Sequence, residues 1–123
     1  MGMSVGLCLQ GYTPITIYPR MDFLLLATNQ LVNHLDKMPI ITFGEFVPKV
    51  IIRVAIGSST PLFPGVQHCS DYTEGLKNML TNVDVISLEK PSQILPSYQL
   101  AYSRTDKKST ILVERPDLFE INE

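Results

Sequence analysis

The chain has 123 residues, a net charge of −2, 45% hydrophobic residues and 18% charged ones. That size and balance predict one domain with a core of its own and exclude a chain disordered throughout. The even charge, with no cluster of Lys or Arg, excludes the electrostatic footprint of a nucleic-acid binder or of a protein drawn to an anionic membrane.

The longest apolar run, Phe23 to Ala27, is far short of the roughly 20 residues a membrane helix requires, and no charged stretch followed by an apolar one opens the sequence. The expectation is a soluble, cytoplasmic protein that contacts neither membrane nor nucleic acid. Cys8 and Cys69 stand far apart without a CxxC spacing, which predicts reduced thiols rather than a disulfide framework or a zinc site.

In chain order, residues 1–10 are small and apolar and close on Gly11, the pattern of a helix that ends at a glycine C′ position and whose beginning is missing or very short. Residues 13–18 read as a strand. Residues 22–38 form the clearest element: Leu24, Leu31, Leu35 and Met38 recur at helical spacing, flanked by Leu25 and Val32, and Pro39 supplies a stop. Residues 50–56 are a β-branched run ended by Gly57, the signature of a strand covered on both faces. Arg53 inside that run needs an acidic partner, in the same fold or in a neighbouring subunit.

Residues 57–69 are rich in turn formers. Asp71 and Glu74 then read as a capping pair opening a helix that runs to Leu80. Residues 83–88 form the next strand. Ile94, Tyr98, Ala101 and Tyr102 make one helical face, with Pro96 tolerable only in its first turn. Residues 104–109 read as a solvated turn and residues 110–114 as the last strand. The sequence shows no repeat and no linker. Strands alternating with helices in this way predict a three-layer α/β domain, a mainly parallel β-sheet with helices on both faces.

Ligands of such sheets bind beyond the carboxyl ends of the strands, which points to residues 18–23, 57–69 and 88–92. His68 lies in the second of these, where an imidazole can act as acid, base or donor to an anion, or simply hydrogen-bond the turn. His34 lacks a second ligand at helical spacing and reads as structural or as part of a subunit contact. Tyr18 and Phe23 bracket the turn after the first strand, where an aromatic ring stacks on a heterocycle or packs in a core. Cys69 adjoins His68 in sequence but is not placed to face it, and Gly57-Ser-Ser-Thr lacks the second glycine and the lysine of a P-loop. No metal site is predicted.

Together, MDFLLLATNQLVNHL (21–35), VIIR (50–53), GVQHCS (65–70), GLK (75–77) and VIS (85–87) resemble the pyrimidine-binding domain of transketolase-like thiamine diphosphate enzymes. The likeness is strongest to the β subunit of 2-oxoacid dehydrogenase E1 components and covers essentially the whole chain, residues 1–123, as a single partial domain. The resemblance implies a parallel α/β sheet, with thiamine diphosphate and Mg²⁺ held between this domain and a diphosphate-binding domain of another chain or another part of the same one. It carries Phe23 over as the aromatic that packs on the aminopyrimidine, with Tyr18 and Gln67 beside it, and His68 as the catalytic histidine near the reacting thiazolium carbon. In some members an aspartate in the last helix–strand turn helps to hold potassium, which would be Asp106, here followed by Lys107 and Lys108.

The departures bear on function. The glutamate that activates the cofactor through the pyrimidine would fall just before Met1, and Glu45, Glu74, Glu89, Glu114, Glu120 and Glu123 do not stand at its position. The first strand of the domain and the Gly-Asp-Gly…Asn signature for magnesium and diphosphate are missing as well. The expectation is therefore a part of a thiamine diphosphate-dependent E1 β-like component, not competent for catalysis alone. It would be completed by a homo-oligomer or by a complementary diphosphate-binding subunit. The alternative is a non-catalytic interaction or assembly module descended from that family.

Overall fold

The β-branched runs become four strands in the computed structural model of the chain, which describes residues 1–118. Strands β1 (Ile15–Tyr18), β2 (Ile51–Ala55), β3 (Val83–Leu88) and β4 (Ser109–Glu114) form one sheet in the order β1-β2-β4-β3, with every pairing parallel. Glu120 and Glu123 lie outside the described residues.

Strand alternation sends successive side chains to opposite faces, and both faces of the two central strands are apolar. On one face Val50, Ile52, Val54, Ile111, Val113 and Val83 lie buried. Three helical segments cover them: α1 (Gly2–Leu9) through Val5 and Cys8, the run that begins at Met21 through Leu24, Leu31 and Leu35, and α4 (Thr73–Met79) through Leu76. On the other face α5 (Ile94–Ser103) packs Ile94, Tyr98 and Ala101 over Ile51, Leu88 and Leu112. In β2, the strand expected to be covered on both faces, Ile51, Ile52 and Val54 are buried but Arg53 is exposed; all six residues of β4 are buried, and the three-layer α/β architecture follows. Burying each such Leu, Ile or Val contributes about 1.5–3 kcal/mol.

The edge strand differs. Thr16 and Tyr18 face α1 and the larger core, where the Ser4 and Thr16 hydroxyls hydrogen-bond each other. Ile15 and Ile17 point to the α5 side and stay more than half exposed, because α5 lies over β3 and β4 and no described element covers β1 there.

The first helix ends as its glycine predicts. Gly11 takes φ +85°, its N–H bonds the Cys8 carbonyl, and the Tyr12 N–H bonds the Leu7 carbonyl, the paired bonds that satisfy the last carbonyls of a helix.

The expected long helix is instead four segments in one helical path. The segment α2 (Met21–Leu24) tightens to a 3₁₀ turn at Leu25–Ala27, widens to a π turn at Gln30–Leu35 and continues in α3 (Met38–Ile41). The π turn shows in the Asp36 N–H bonding Leu31 five residues back, at 2.9 Å. Leu24, Leu31 and Leu35 keep their core positions, whereas Leu25 turns largely outward.

Pro39 does not stop the run. It sits in the first turn of α3, where a residue without N–H forfeits no helical bond. The capping pair is also revised: α4 starts at Thr73, whose N–H bonds Asp71 Oδ1 at 2.9 Å, while Glu74 pairs with Lys77 at 2.8 Å. In α5 the predicted face holds at Ile94, Tyr98 and Ala101, but Tyr102 is exposed.

Candidate functional site

The carboxyl edge of the sheet brings together residues from the ends of β1 and β2. After β1, the chain turns at Pro19 and enters α2 with Met21 fully buried, and the Tyr72 N–H bonds Met21 Sδ at 2.9 Å. That contact docks α2 against the segment leading into α4. After β2, Gly57 ends the strand run, and Gly65 (φ +101°) opens a 3₁₀ turn, Val66–His68, closed by the His68 N–H on the Gly65 carbonyl at 3.1 Å.

Gly57 is required by close approach. A Cβ there would collide with the backbone carbonyl of His68 and would lie 3.2 Å from Arg20 Cδ. The glycine thus lets the His68 turn fold back onto the end of β2, beside the Arg20 stem.

In the result, Phe23 and His68 meet edge to face, ring centroids 5.5 Å apart and planes at 70°. Phe23 is 39% exposed, so its ring closes no core and offers a surface. His68 Nδ1 is buried with no hydrogen-bond partner among the described residues, and so is Asp22 Oδ2. A buried polar atom left without a partner costs about 1–3 kcal/mol, and groups of this kind gather at functional sites.

The other residues singled out from the sequence fall differently. Gln67 is exposed on the same 3₁₀ turn as His68. Tyr18 packs against the larger core, where burial pushes its hydroxyl above the usual tyrosine range. His34 is exposed on the π turn. Cys69 is half-buried and its thiol points to the Ser58 carbonyl at 3.6 Å, and Asp71 gives its other oxygen to Arg115 at 2.6 Å.

Arg53 finds its acid within the fold. Its Nε and Nη2 grip both oxygens of Glu114, at 2.7–3.0 Å, and Tyr98 donates its hydroxyl to the same carboxylate at 2.9 Å. The hydrogen bond to Glu114 raises the Arg53 pKa. Burial, followed by that carboxylate, raises that of Tyr98.

The turn at residues 104–109 is tied down rather than merely solvated. Arg104 bonds Asp106 through two nitrogens at 2.6 and 2.7 Å, Asp84 at 2.7 Å and Thr110 at 2.8 Å. With both Asp106 oxygens held by a guanidinium, this turn does not fit a bound potassium ion. Among the described residues no group of three or more His, Cys, Asp or Glu stands where it could hold a metal. A recess of about 530 Å³ opens at the opposite, amino edge of the sheet and is lined by Tyr12, Phe46, Lys49, Arg104 and Lys107 among others.

The segments that the sequence points to, residues 18–23 and 57–69, contain Arg20 and Gly57, but neither residue stands out within them. Both stand at strand carboxyl ends, a signal present in the sequence, but their convergence on the His68 turn is a long-range contact that no local pattern encodes.

No protein-family model matches the chain. Among curated proteins it is similar to the pyruvate dehydrogenase E1 component subunit beta of Cyanidium caldarium, 28% identical over 119 residues, covering 96% of this chain and 32% of that protein. It is also 30% identical over 91 residues to the subunit of the same name from Gracilaria tenuistipitata var. liui, covering 74% of this chain and 27% of the relative. The chain therefore spans about a third of the length of the curated relatives it matches.

Proposed function

We propose that the chain is the pyrimidine-binding part of a thiamine diphosphate-dependent, transketolase-like component of the 2-oxoacid dehydrogenase E1 β type. It forms a single partial domain that other polypeptide completes. The observation that carries this reading is the Phe23–His68 pair at the carboxyl edge of a parallel sheet, in a chain similar over 119 residues to E1 β subunits. When bound, the cofactor supplies an electron sink for cleavage next to a carbonyl.

Phe23 fits the platform for its aminopyrimidine: an aromatic ring, partly open, fixed by the burial of Met21 and Leu24 on either side. His68, with Nδ1 unpartnered, holds or moves a proton at the reacting centre, and the exposed Gln67 adds a polar contact at the rim. Tyr18 supports the turn from beneath. Glu74, Glu89 and Glu114 each pair with a cation and Glu45 lines the recess at the amino edge of the sheet, away from Phe23 and His68, which supports an activating glutamate supplied by the completing polypeptide. The same holds for the ligands of Mg²⁺ and the diphosphate, which fall to a complementary diphosphate-binding subunit or to another copy.

Among the described residues no helix is long and apolar enough to cross a membrane, and Cys8 and Cys69 are free thiols. We propose a cytoplasmic location on the ground of the two free thiols alone.

The test is a thermal-shift titration with thiamine diphosphate and Mg²⁺, and in parallel with the isolated aminopyrimidine fragment, which needs only this half of the site. A ligand bound only by the folded state at 100 times its Kd adds about 2.7 kcal/mol and raises the melting temperature. A response to either ligand that Phe23→Ala removes supports the reading. No response to either overturns it in favour of the non-catalytic assembly module.

A further inference from the structure

We propose that the ammonium of Lys49 stands in for a monovalent cation at the carboxyl end of α5. Some members of the family this chain resembles hold potassium at that turn; here the chain supplies the charge from its own sequence and needs no ion. The inference stands on the contacts of Lys49 and is independent of the functional reading above.

The last carbonyls of a helix have no partner inside it and lie at the negative end of its dipole. In α5 the Leu100 carbonyl receives the Arg104 N–H at 3.0 Å, whereas the carbonyls of Tyr102 and Arg104 receive no backbone N–H among the described residues. Lys49 Nζ donates to both of these, to that of Arg104 at 3.1 Å, and stands 5.6 Å from the centre of the Tyr102 ring. Neutral carbonyl oxygens and an aromatic face are the surroundings that stabilise a monovalent cation stripped of its water. No acid competes for the charge, because the ion pairs of the described residues do not include Lys49.

Asp106, the carboxylate that the resemblance assigns to potassium, is met by a second internal cation. Arg104 grips it through Nε at 2.6 Å and Nη2 at 2.7 Å, and reaches Asp84 and Thr110 with the same guanidinium. Side chains thus fill the place of an ion at every oxygen named here. Lys49 is itself held in position, since its own carbonyl accepts the Cys8 thiol of α1 at 3.3 Å. Helices α1 and α5 lie on opposite faces of the sheet, so one lysine at the amino edge ties both layers to the start of β2. The recess at that edge is lined by Lys49, Arg104 and Thr105, which gives an ion from solvent a route to the same carbonyls once the lysine side chain is removed.

The experiment follows thermal unfolding of the chain and of Lys49→Met in potassium, ammonium and choline chloride at equal ionic strength, choline being too large for the place that the ammonium leaves. The parent chain is expected to melt at one temperature in all three salts. Lys49→Met is expected to melt lower in choline by about 4 °C or more. In potassium or ammonium it should regain about half of that loss or more, saturably, as an ion bound only by the folded state requires. The assignment is overturned by a parent chain that potassium stabilises saturably over choline, by a variant as stable as the parent in choline, or by a loss that neither potassium nor ammonium reduces. Should Lys49→Met fail to fold, Lys49→Gln, whose amide reaches a carbonyl without charge, takes its place in the same comparison. No arm of the experiment contains thiamine diphosphate, so a failure here leaves the cofactor reading standing, and a failure of that reading leaves Lys49 in its place.

Discussion

At the scale of single residues, the site depends on a hydrogen atom standing where a methyl group cannot. Gly57 abuts the His68 carbonyl, whereas Gly75 in α4 has no atom within 4 Å of a Cβ placed on it. Gly57→Ala must therefore push the His68 turn away or strain β2, at a cost of about 1–3 kcal/mol. Gly75→Ala gains up to about 1 kcal/mol, because alanine is the better residue in a helix interior. Urea unfolding of the two variants checks the opposite signs, and the Phe23–His68 ring contact, followed by nuclear Overhauser effects, should weaken only in Gly57→Ala. Equal stability of the two variants would refute the close-approach argument. Phe23 and His68 were legible as candidates because each lies at a strand carboxyl end, where the rule for parallel sheets places ligands. That their rings touch, and that Gly57 and Arg20 join them, depends on how two turns distant in sequence settle on each other.

At the scale of elements, the strands were the most legible because their signal is purely local: β2, β3 and β4 are β-branched runs whose boundaries the structure moves by about one residue. The helical run was legible as a buried face and not as a geometry, since the apolar spacing of Leu24, Leu31 and Leu35 tolerates either a uniform helix or one that tightens and widens. Its π turn brings Asp36, fully buried, to the connection between α4 and β3. There the amides of Thr81 and Asn82 donate to one oxygen at 2.8 and 2.6 Å, and Lys37 reaches the other at 3.0 Å. Burial alone would raise the Asp36 pKa, but the Asn82 and Thr81 amides and Lys37 outweigh it and hold the carboxyl below the usual aspartate range. A carboxyl depressed in the folded state contributes stability above its unfolded pKa, about 3.9, and loses it as pH falls through the folded value. Asp36→Asn should thus cost about 1.5–3 kcal/mol at pH 7, and its deficit against the parent chain should shrink as pH drops below about 4. A deficit that is constant from pH 7 to pH 3 in thermal denaturation would rule out the ionised anchor.

At the scale of the whole molecule, the open question is what covers the surface that the fold leaves apolar. The sequence directs attention to the helix from Phe23 to Val32, and Leu26 there is indeed 87% exposed. A second apolar surface lies on the α5 side of β1, where Ile15 and Ile17 stand more than half exposed beside Arg53 on the neighbouring strand. An edge strand with a bare apolar face invites pairing or packing by another chain, and proteins that remain monomeric blunt such edges with charge. No acidic or lysine side chain occurs in β1. The purified chain should therefore self-associate, with a mass by light scattering that rises above 13.8 kDa with concentration. Placing lysine at both exposed positions, Ile15→Lys with Ile17→Lys, should return it towards the monomer at little cost to stability, because neither side chain contributes to the buried core clusters. Association that persists unchanged in that double variant would move the contact to another surface, Leu26 and its neighbours foremost. A monodisperse monomer of the parent chain at high concentration would mean that this open face needs no cover.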